Sequence, residues 1–274
     1  MNKFGIVQGR LSPRMNNQYQ SHPAGYWHSE FFTAKELGLD LIQWLVDEET
    51  FEENPIMSEK GRSEILKISS RSGVKVQSLC ADILIKIPLF GSREEQAKES
   101  LEKIIMNAGK MGIRNIIIPC LDNSSLNTLK KKNSFISIVK EYIDLASSNN
   151  INLCIESDLS PTELINLLQC LEEENLFINY DIGNSASLGY DSEEEFNAYG
   201  SLISHIHIKD RKRGSTSVPL GSGDANFSKT IKRIKKINYQ GPLVFESARG
   251  ANFFEDINLI QTQMNFFRQL WDKN

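Results

Sequence analysis

Histidine and cysteine are scarce in this chain, with four of each among 274 residues, and their scarcity narrows the chemistry open to it. His22, His28, His205 and His207 are too few for a histidine-rich multi-metal cluster of the kind that cleaves phosphodiesters. Cys80, Cys120, Cys154 and Cys170 lie in or beside apolar runs without any CxxC spacing. That argues against a disulfide framework and predicts buried free thiols in a reducing, cytoplasmic setting. No GxGxxG or GxxxxGK[ST] follows the first apolar run, so neither common nucleotide-binding loop is present. No segment approaches the roughly 18 apolar residues of a membrane span. The start, MNKFGIVQGRL, has no apolar stretch of signal-peptide length, so a soluble, unexported protein without a membrane partner is expected. Positive charge is not in surplus either. Lys and Arg number 31 against 35 Asp and Glu, a formal charge of −4 that disfavours a nucleic-acid partner.

What the chain does have is eight short β-type runs, beginning at Phe4, Leu41, Val74, Asn115, Ile151, Leu176, Leu202 and Pro242. Several follow a glycine or polar turn (LGLD, SGVK, MGIR, SNNI, YQGP), as when a helix C-cap feeds a strand. Between them lie amphipathic stretches. From Ser92 to Met111, Ala97, Leu101, Ile104, Ile105 and Ala108 recur at helical spacing, and Phe135 to Ala146 behaves likewise. Eight alternating units with continuous apolar strands predict a single (β/α)8 TIM barrel, one domain over residues 1–274, with an open doubly wound sheet as the alternative. The segments Leu11 to His28, Leu84 to Ser92 and Asp210 to Phe227 exceed the usual connection of about 2 to 6 residues. Each follows a strand, which places all three on the catalytic face.

The chemistry gathers at four strand ends. LCIE finishes on Glu156, FINYD on Asp181, ISHIH on His207 and LVFE on Glu246. Two or three carboxylates and an imidazole, each from a different buried strand, can meet on one divalent cation. Glu156 and Glu246 are poor helix caps and costly on an apolar strand if unpaired, and a shared cation explains both. Asp158, before Ser160 and Pro161, reads equally as the cap of the next helix. His205 shares a face with His207 one layer deeper and reads as a hydrogen-bonded core residue. Trp44 is either a stacking wall for a ligand ring or a packed core aromatic, with the core role favoured. His22 and His28 are expected at the surface or in a lid.

The succession IES, NYDIGN, HIHIKD, VPLGSGDANF and FES resembles the xylose-isomerase-like barrel superfamily, the sugar (phosphate) isomerases and epimerases related in fold to endonuclease IV. The resemblance spans essentially the whole chain. It implies a metal held by Glu156, Asp181, His207 and Glu246, and a substrate contact at Lys209. It also implies proton transfer by Glu156 and Glu246 beside a sugar carbonyl, through an enediolate that the metal stabilises. The mostly oxygen donor set favours Mn²⁺ or Mg²⁺, with Co²⁺, Fe²⁺ and Zn²⁺ also compatible. Barrels of this family are often dimers or tetramers, so a homo-oligomer is compatible with the resemblance.

Departures from the ketose 3-epimerases of that superfamily are visible. Where they carry a histidine three residues after the strand-six aspartate, this chain has Asn184, and Thr162 replaces a second glutamate. Arg213 does stand six residues after His207, where those enzymes place a substrate-binding arginine. Asn184, Arg213 and Lys209 are therefore expected substrate contacts, together with Gln8, which strand one offers at the same mouth beside Arg10. Arg211, Lys212, Arg213, Lys209 and Arg249 form a basic cluster suited to a phosphate or carboxylate, or else a solvated charge run. The expected activity is metal-dependent isomerisation or epimerisation of a sugar, sugar phosphate or polyol derivative. A dehydratase or lyase on a keto-polyol is the first alternative, and an endonuclease IV-like nuclease is the second.

Overall fold

A computed structural model of the protein describes residues 2–171 and 175–274. Eight parallel strands close into a barrel: β1 Phe4–Val7, β2 Leu41–Leu45, β3 Lys75–Cys80, β4 Asn115–Cys120, β5 Asn152–Ser157, β6 Leu176–Asp181, β7 Ile203–Ile208 and, after a two-strand ribbon, β10 Leu243–Phe245. The ribbon is β8 Asp210–Arg211 paired antiparallel with β9 Ser217–Val218. The helices are α1 Trp27–Glu36, α2 Glu59–Ser72, α3 Ile83–Lys86, α4 Glu94–Lys110, α5 Leu129–Ser148, α6 Pro161–Gln169, α7 Ile182–Leu188, α8 Ser192–Tyr199, α9 Phe227–Lys236 and α10 Phe253–Lys273. The (β/α)8 barrel expected from the sequence is thus the fold, and the eight apolar runs are its eight strands. The ribbon lies in the segment expected as a loop after strand seven, and α3 in the one after strand three.

The strands form because their apolar residues are covered on both faces, by helices outside and by one another inside. β2, LIQWL, is buried along its full length. The seam between first and last strands is sealed by aromatics, Phe4 stacking on Phe245 at 6.1 Å and Phe267 of α10 meeting Phe245 edge-on at 5.8 Å. Local chemistry sets the boundaries. Ser58 accepts from the Gly61 N–H to start α2, and Gly73, at φ 82°, ends it in the left-handed region open to glycine. Ser160 and Glu163 form a reciprocal capping box on α6 with Pro161 in its first turn, so Asp158 is not the cap. Cys80, Cys120 and Cys154 are buried free thiols as expected, whereas Cys170 is exposed at the end of α6. Among the described residues no helix is long and apolar enough to cross a membrane.

The long connection after β1 is pinned by a buried carboxylate. Glu30, on α1, accepts from the backbone N–H groups of Gly9 and Leu11. Burial, opposed by these hydrogen bonds, pushes its pKa up from 4.5 to about 7. A raised folded-state pKa means that its contribution is complete below pH 4.5 and is lost as pH rises through about 7. The wild type should therefore lose roughly 3 kcal/mol of stability from this group over that window, and Glu30→Gln should flatten the loss. Urea unfolding of both proteins at pH 4.5 and 7.5 tests this, and parallel pH profiles would contradict it.

Candidate metal centre

The barrel register brings the four expected strand-end residues together. Asp181 and His207 are direct cross-strand partners at the ends of β6 and β7. Pairing slips by one residue between Ile178 and Asn179, a bulge of the kind that re-aims side chains near sites. Glu156 lies one residue before the end of β5, and Glu246 follows β10 with its N–H still bonded to Ile208 O. All four are buried, and one donor atom from each falls within 4.8 Å of all the others.

His207 Nδ1 faces the three carboxylates, at 3.2 Å from Glu246 Oε2, 3.4 Å from Glu156 Oε2 and 3.7 Å from Asp181 Oδ2. Donors bonded at roughly 2.1 Å to one ion lie about 3.0 to 3.5 Å apart when adjacent, so the cluster is nearly of the right size. The buried Asp181 Oδ2 has no hydrogen-bond partner, a position that a cation would satisfy. Burial works against a proton on His207, but Glu156, Asp181 and Glu246 more than reverse it and hold its pKa well above the ordinary imidazole range. The same excess of negative charge would be neutralised by a divalent ion. Donor chemistry, size and the orphaned oxygen all fit a metal.

A polar layer beneath the cluster fixes its orientation. His207 Nε2 lies 2.8 Å from Gln43 Oε1, while Gln43 Nε2 approaches His205 Nε2 at 3.4 Å. His205 Nε2 also meets Ser78 Oγ at 3.0 Å, and its Nδ1 meets Asn179 Oδ1 at 2.7 Å. Asn179 Nδ2 donates to Glu156 Oε2 at 2.7 Å and lies 3.1 Å from His207 Nδ1. One proton arrangement fits the links through His205 and Gln43. His205 carries its proton on Nδ1, and His207 donates from Nε2 to Gln43, so that His207 Nδ1 faces the carboxylates, protonated in the absence of a cation and able to offer its lone pair to one. Burial, reinforced by His207, drives the His205 pKa well below the imidazole range, which agrees with a neutral ring. Outer partners of ligating histidines commonly govern metal affinity by about 10- to 100-fold. Gln43→Leu should weaken divalent-metal binding by about that factor. Gln43→Glu, which keeps an acceptor oxygen, should recover part of it. Calorimetric titration with Mn²⁺ measures both, and unchanged affinity in Gln43→Leu would remove Gln43 from this role.

Above the cluster opens a cavity of about 560 Å³. Glu156, Glu246, His207, Lys209 and Asn184 line it, whereas Asp181 does not. Lys209 Nζ donates to Glu246 Oε1 at 2.8 Å and lies 3.4 Å from Asp181 Oδ2. Burial opposes its charge, but Asp181, Glu246 and Glu156 raise its pKa. For Glu246, burial favours the neutral acid, yet Lys209, His207 and Arg10 outweigh it and hold the pKa well below the carboxylate range. Asn184 joins the parts: its N–H donates to Asp181 Oδ1, its Nδ2 donates to Glu156 Oε1, and its Oδ1 accepts from Arg211. Gly183 must be glycine for α7 to sit here, since a Cβ would fall 2.8 Å from Lys209 Cγ and 2.9 Å from its carbonyl carbon.

The expected substrate contacts divide. Lys209 and Asn184 reach the cavity; Gln8 and Arg213 are not in its lining. Gln8 is buried, its Oε1 accepting from Leu45 N–H and meeting His22 Nδ1 at 3.0 Å. Arg213 is exposed, its guanidinium packed over Gly189, and Arg211 takes its place in the wall. The ribbon pairing makes this choice, because Arg211 faces Ser217 across it and the chain turns away at Gly214. His22, expected at the surface, is buried because Asp47 accepts from its N–H and Gln8 meets its ring. His28 is at the surface against Glu64. Trp44 is fully buried and donates to Asn54 Oδ1, so it is core. Arg249 is spent on Asp256 and Ser12 O. Asn179 and Gln43 were not singled out for this layer, nor was Asp82, which accepts from Gln20 at the cavity wall.

The family described as xylose isomerase-like TIM barrel matches residues 31–270. The L-ribulose-5-phosphate 3-epimerase UlaE of Salmonella heidelberg is 29% identical over 238 residues, covering 82% of this chain and 83% of its own. Among solved structures, a xylose isomerase domain protein from Planctomyces limnophilus superposes with a TM-score of 0.78 at 15% identity, covering 99% of this chain and 98% of that one. A D-allulose 3-epimerase from Methylomonas sp. gives 0.75 at 14% identity, covering 98% of each chain. A xylose isomerase-like barrel from Mycobacterium smegmatis, solved in complex with magnesium, gives 0.70 at 15% identity over 97% of each.

Proposed function

Because the chain belongs to the xylose isomerase-like TIM-barrel family, we propose that it is a divalent-metal-dependent epimerase of a ketose or ketose phosphate, inverting the carbon beside the carbonyl. One observation carries this reading: of the three clustered carboxylates, Glu156 and Glu246 line the cavity and Asp181 does not. Epimerisation needs two proton-transfer groups facing one substrate carbon from different sides, plus a site that stabilises charge on the carbonyl oxygen. Glu156 from β5 and Glu246 after β10 flank the site, with Asp181 and His207 on the intervening strands. The resemblance of the sequence to 3-epimerases acting on ketose phosphates supports the same class.

Glu156, Asp181, His207 and Glu246 would hold the ion, and the oxygen-rich set favours Mn²⁺ or Mg²⁺. When bound, it would polarise the substrate carbonyl and so acidify the adjacent C–H bond. One glutamate removes that proton and the other returns one to the opposite face. Asn179 and Asn184 clamp both oxygens of Glu156 and set its orientation. Lys209 keeps Glu246 ionised and places a positive charge beside the substrate oxygens. A nuclease reading has less support, since His207 is the sole histidine of the cluster and the cavity wall carries Asp82, Asp122 and Asp158.

The test is turnover of ketopentoses, ketohexoses and their phosphates in deuterated water with Mn²⁺, followed by NMR and mass spectrometry. Deuterium at the inverted carbon of a product of otherwise unchanged composition supports the epimerase. Aldose formation would make the enzyme an isomerase, loss of water a dehydratase, and no exchange with any ketose would remove the proposal.

A further inference from the structure

The cavity is polarised in charge. On the side built from the ends of β3, β4 and β5, its wall carries Asp82, Asp122 and Asp158. Burial pushes the Asp82 carboxyl up to about 6, with Asp47 and Glu246 adding to the shift. A further negative charge is unwelcome on that side. Opposite, the ribbon and the end of α7 contribute Arg211, Thr216, Ser217 and Ser187.

Arg211 differs from the other cations of the mouth. Lys209 is paired with Glu246 and Asp181, Arg249 with Asp256, and Arg10 lies 3.8 Å from Glu246 Oε1. Arg211 donates from Nη1 to Asn184 Oδ1 and from Nε and Nη2 to Ser215 O, and among the described residues it meets no carboxylate. Three of its five N–H groups are so used, leaving two, with the full positive charge unneutralised. The ribbon that presents it is built rather than loose. Buried Asp210 accepts from the N–H groups of Gly221, Gly223 and Ala225, so the returning strand is fastened from behind. Arg211 and Ser217 are cross-strand partners and both reach the cavity, with Gly214, at φ 63°, forming the turn. A fixed, unpaired guanidinium beside three hydroxyls is suited to a phosphate monoester.

We propose that the β8–β9 ribbon is an oxyanion subsite, with Arg211 as its cation and Ser187, Thr216 and Ser217 as its hydroxyl donors, which receives the terminal phosphate of a phosphorylated ketose. The proposal rests on the reading of the cavity as a sugar-converting site. It orients the substrate, with phosphate toward the ribbon and free hydroxyls toward the aspartates, which accept hydrogen bonds from them. The subsite is wired to the reaction centre, because Arg211 holds Asn184 and Asn184 holds Glu156, each at 2.8 Å.

The test separates the subsite from the metal and from the activity. Inorganic phosphate is titrated calorimetrically into the protein with Mn²⁺ and after chelation, for the wild type, Arg211→Ala, Arg211→Lys and Lys212→Ala. Phosphate should bind with and without metal, weaken roughly 10- to 100-fold in Arg211→Ala, weaken less in Arg211→Lys, and be unchanged in Lys212→Ala, an exposed neighbour on the same ribbon. The ratio of kcat/KM for a ketose 5-phosphate to that for the free ketose should fall by the same factor in Arg211→Ala. Binding that vanishes on chelation and ignores Arg211 would place phosphate on the metal and overturn the subsite. An equal loss in Lys212→Ala would reduce it to diffuse surface charge. Arg211-dependent phosphate binding without ketose turnover would uphold the subsite and sink the epimerase reading instead.

Discussion

Exchanging Glu246 for glutamine is expected to lower kcat by about 10³-fold while the protein still binds a divalent ion. Glutamine keeps the volume and one carbonyl-type oxygen, so packing and a donor to the ion are retained, but it cannot accept a proton. The position is demanding. Glu246 Oε2 faces His207 Nδ1 at 3.2 Å, and Oε1 receives the Lys209 ammonium at 2.8 Å. Lys209, His207 and Arg10 together hold the carboxyl ionised despite its burial, the state that the proposed proton transfer requires. Glu156 cannot replace it, because Asn179 and Asn184 fix both oxygens of Glu156 on the β5 side. Steady-state kinetics give the rate loss, and Mn²⁺ titration shows that the metal stays. Activity within tenfold of wild type would remove Glu246 from proton transfer. Loss of metal together with activity would show it to be needed as a ligand first.

The fold was legible because barrel strands are buried on both faces. Runs such as LIQWL and NIIIPC are continuous rather than alternating, and each candidate ligand interrupts or ends such a run. Asn179 was legible in principle, since it stands two residues before Asp181 on the same face of β6. Its amide is not a usual metal-ligand type, so the pattern of strand-end carboxylates and imidazole does not reveal it. Gln43 sits inside an apolar run, and its bond to His207 spans 164 residues of sequence and depends on barrel closure. His22 is buried for a related reason, with partners just after the ends of β1 and β2. The choice of Arg211 over Arg213 turned on hairpin register, which a basic run with one glycine does not reveal. Asp158 shows a local signal overlooked: Ser160 and Glu163 spell the S-x-x-E capping box, which freed the aspartate to face the cavity.

Saturating Mn²⁺ or Mg²⁺ should raise the melting temperature by roughly 8 to 16 °C over the chelated protein, and chelation should abolish turnover. A ligand present at about 1,000 times its dissociation constant stabilises the native state by about 4 kcal/mol, and in a chain of this size each kcal/mol moves the melting point by roughly 2 to 4 °C. The energy has a visible source. Three carboxylates converge within one buried cluster, Asp181 Oδ2 has no hydrogen-bond partner, and Lys209 and a protonated His207 provide the compensation on hand. Protons and metal compete for the same atoms. The ion needs a free lone pair on His207 Nδ1, and the raised His207 pKa means that a proton is held there strongly in its absence. Metal binding must therefore release protons and weaken as pH falls. The metal-induced shift should be larger at pH 8 than at pH 5.5, whereas a cation bound only to the acidic surface would be screened by added salt. Thermal melts with and without chelator, at both pH values and in high salt, decide between them. Equal melting temperatures with and without metal at pH 8 would mean that the four strand ends meet for some purpose other than holding a cation.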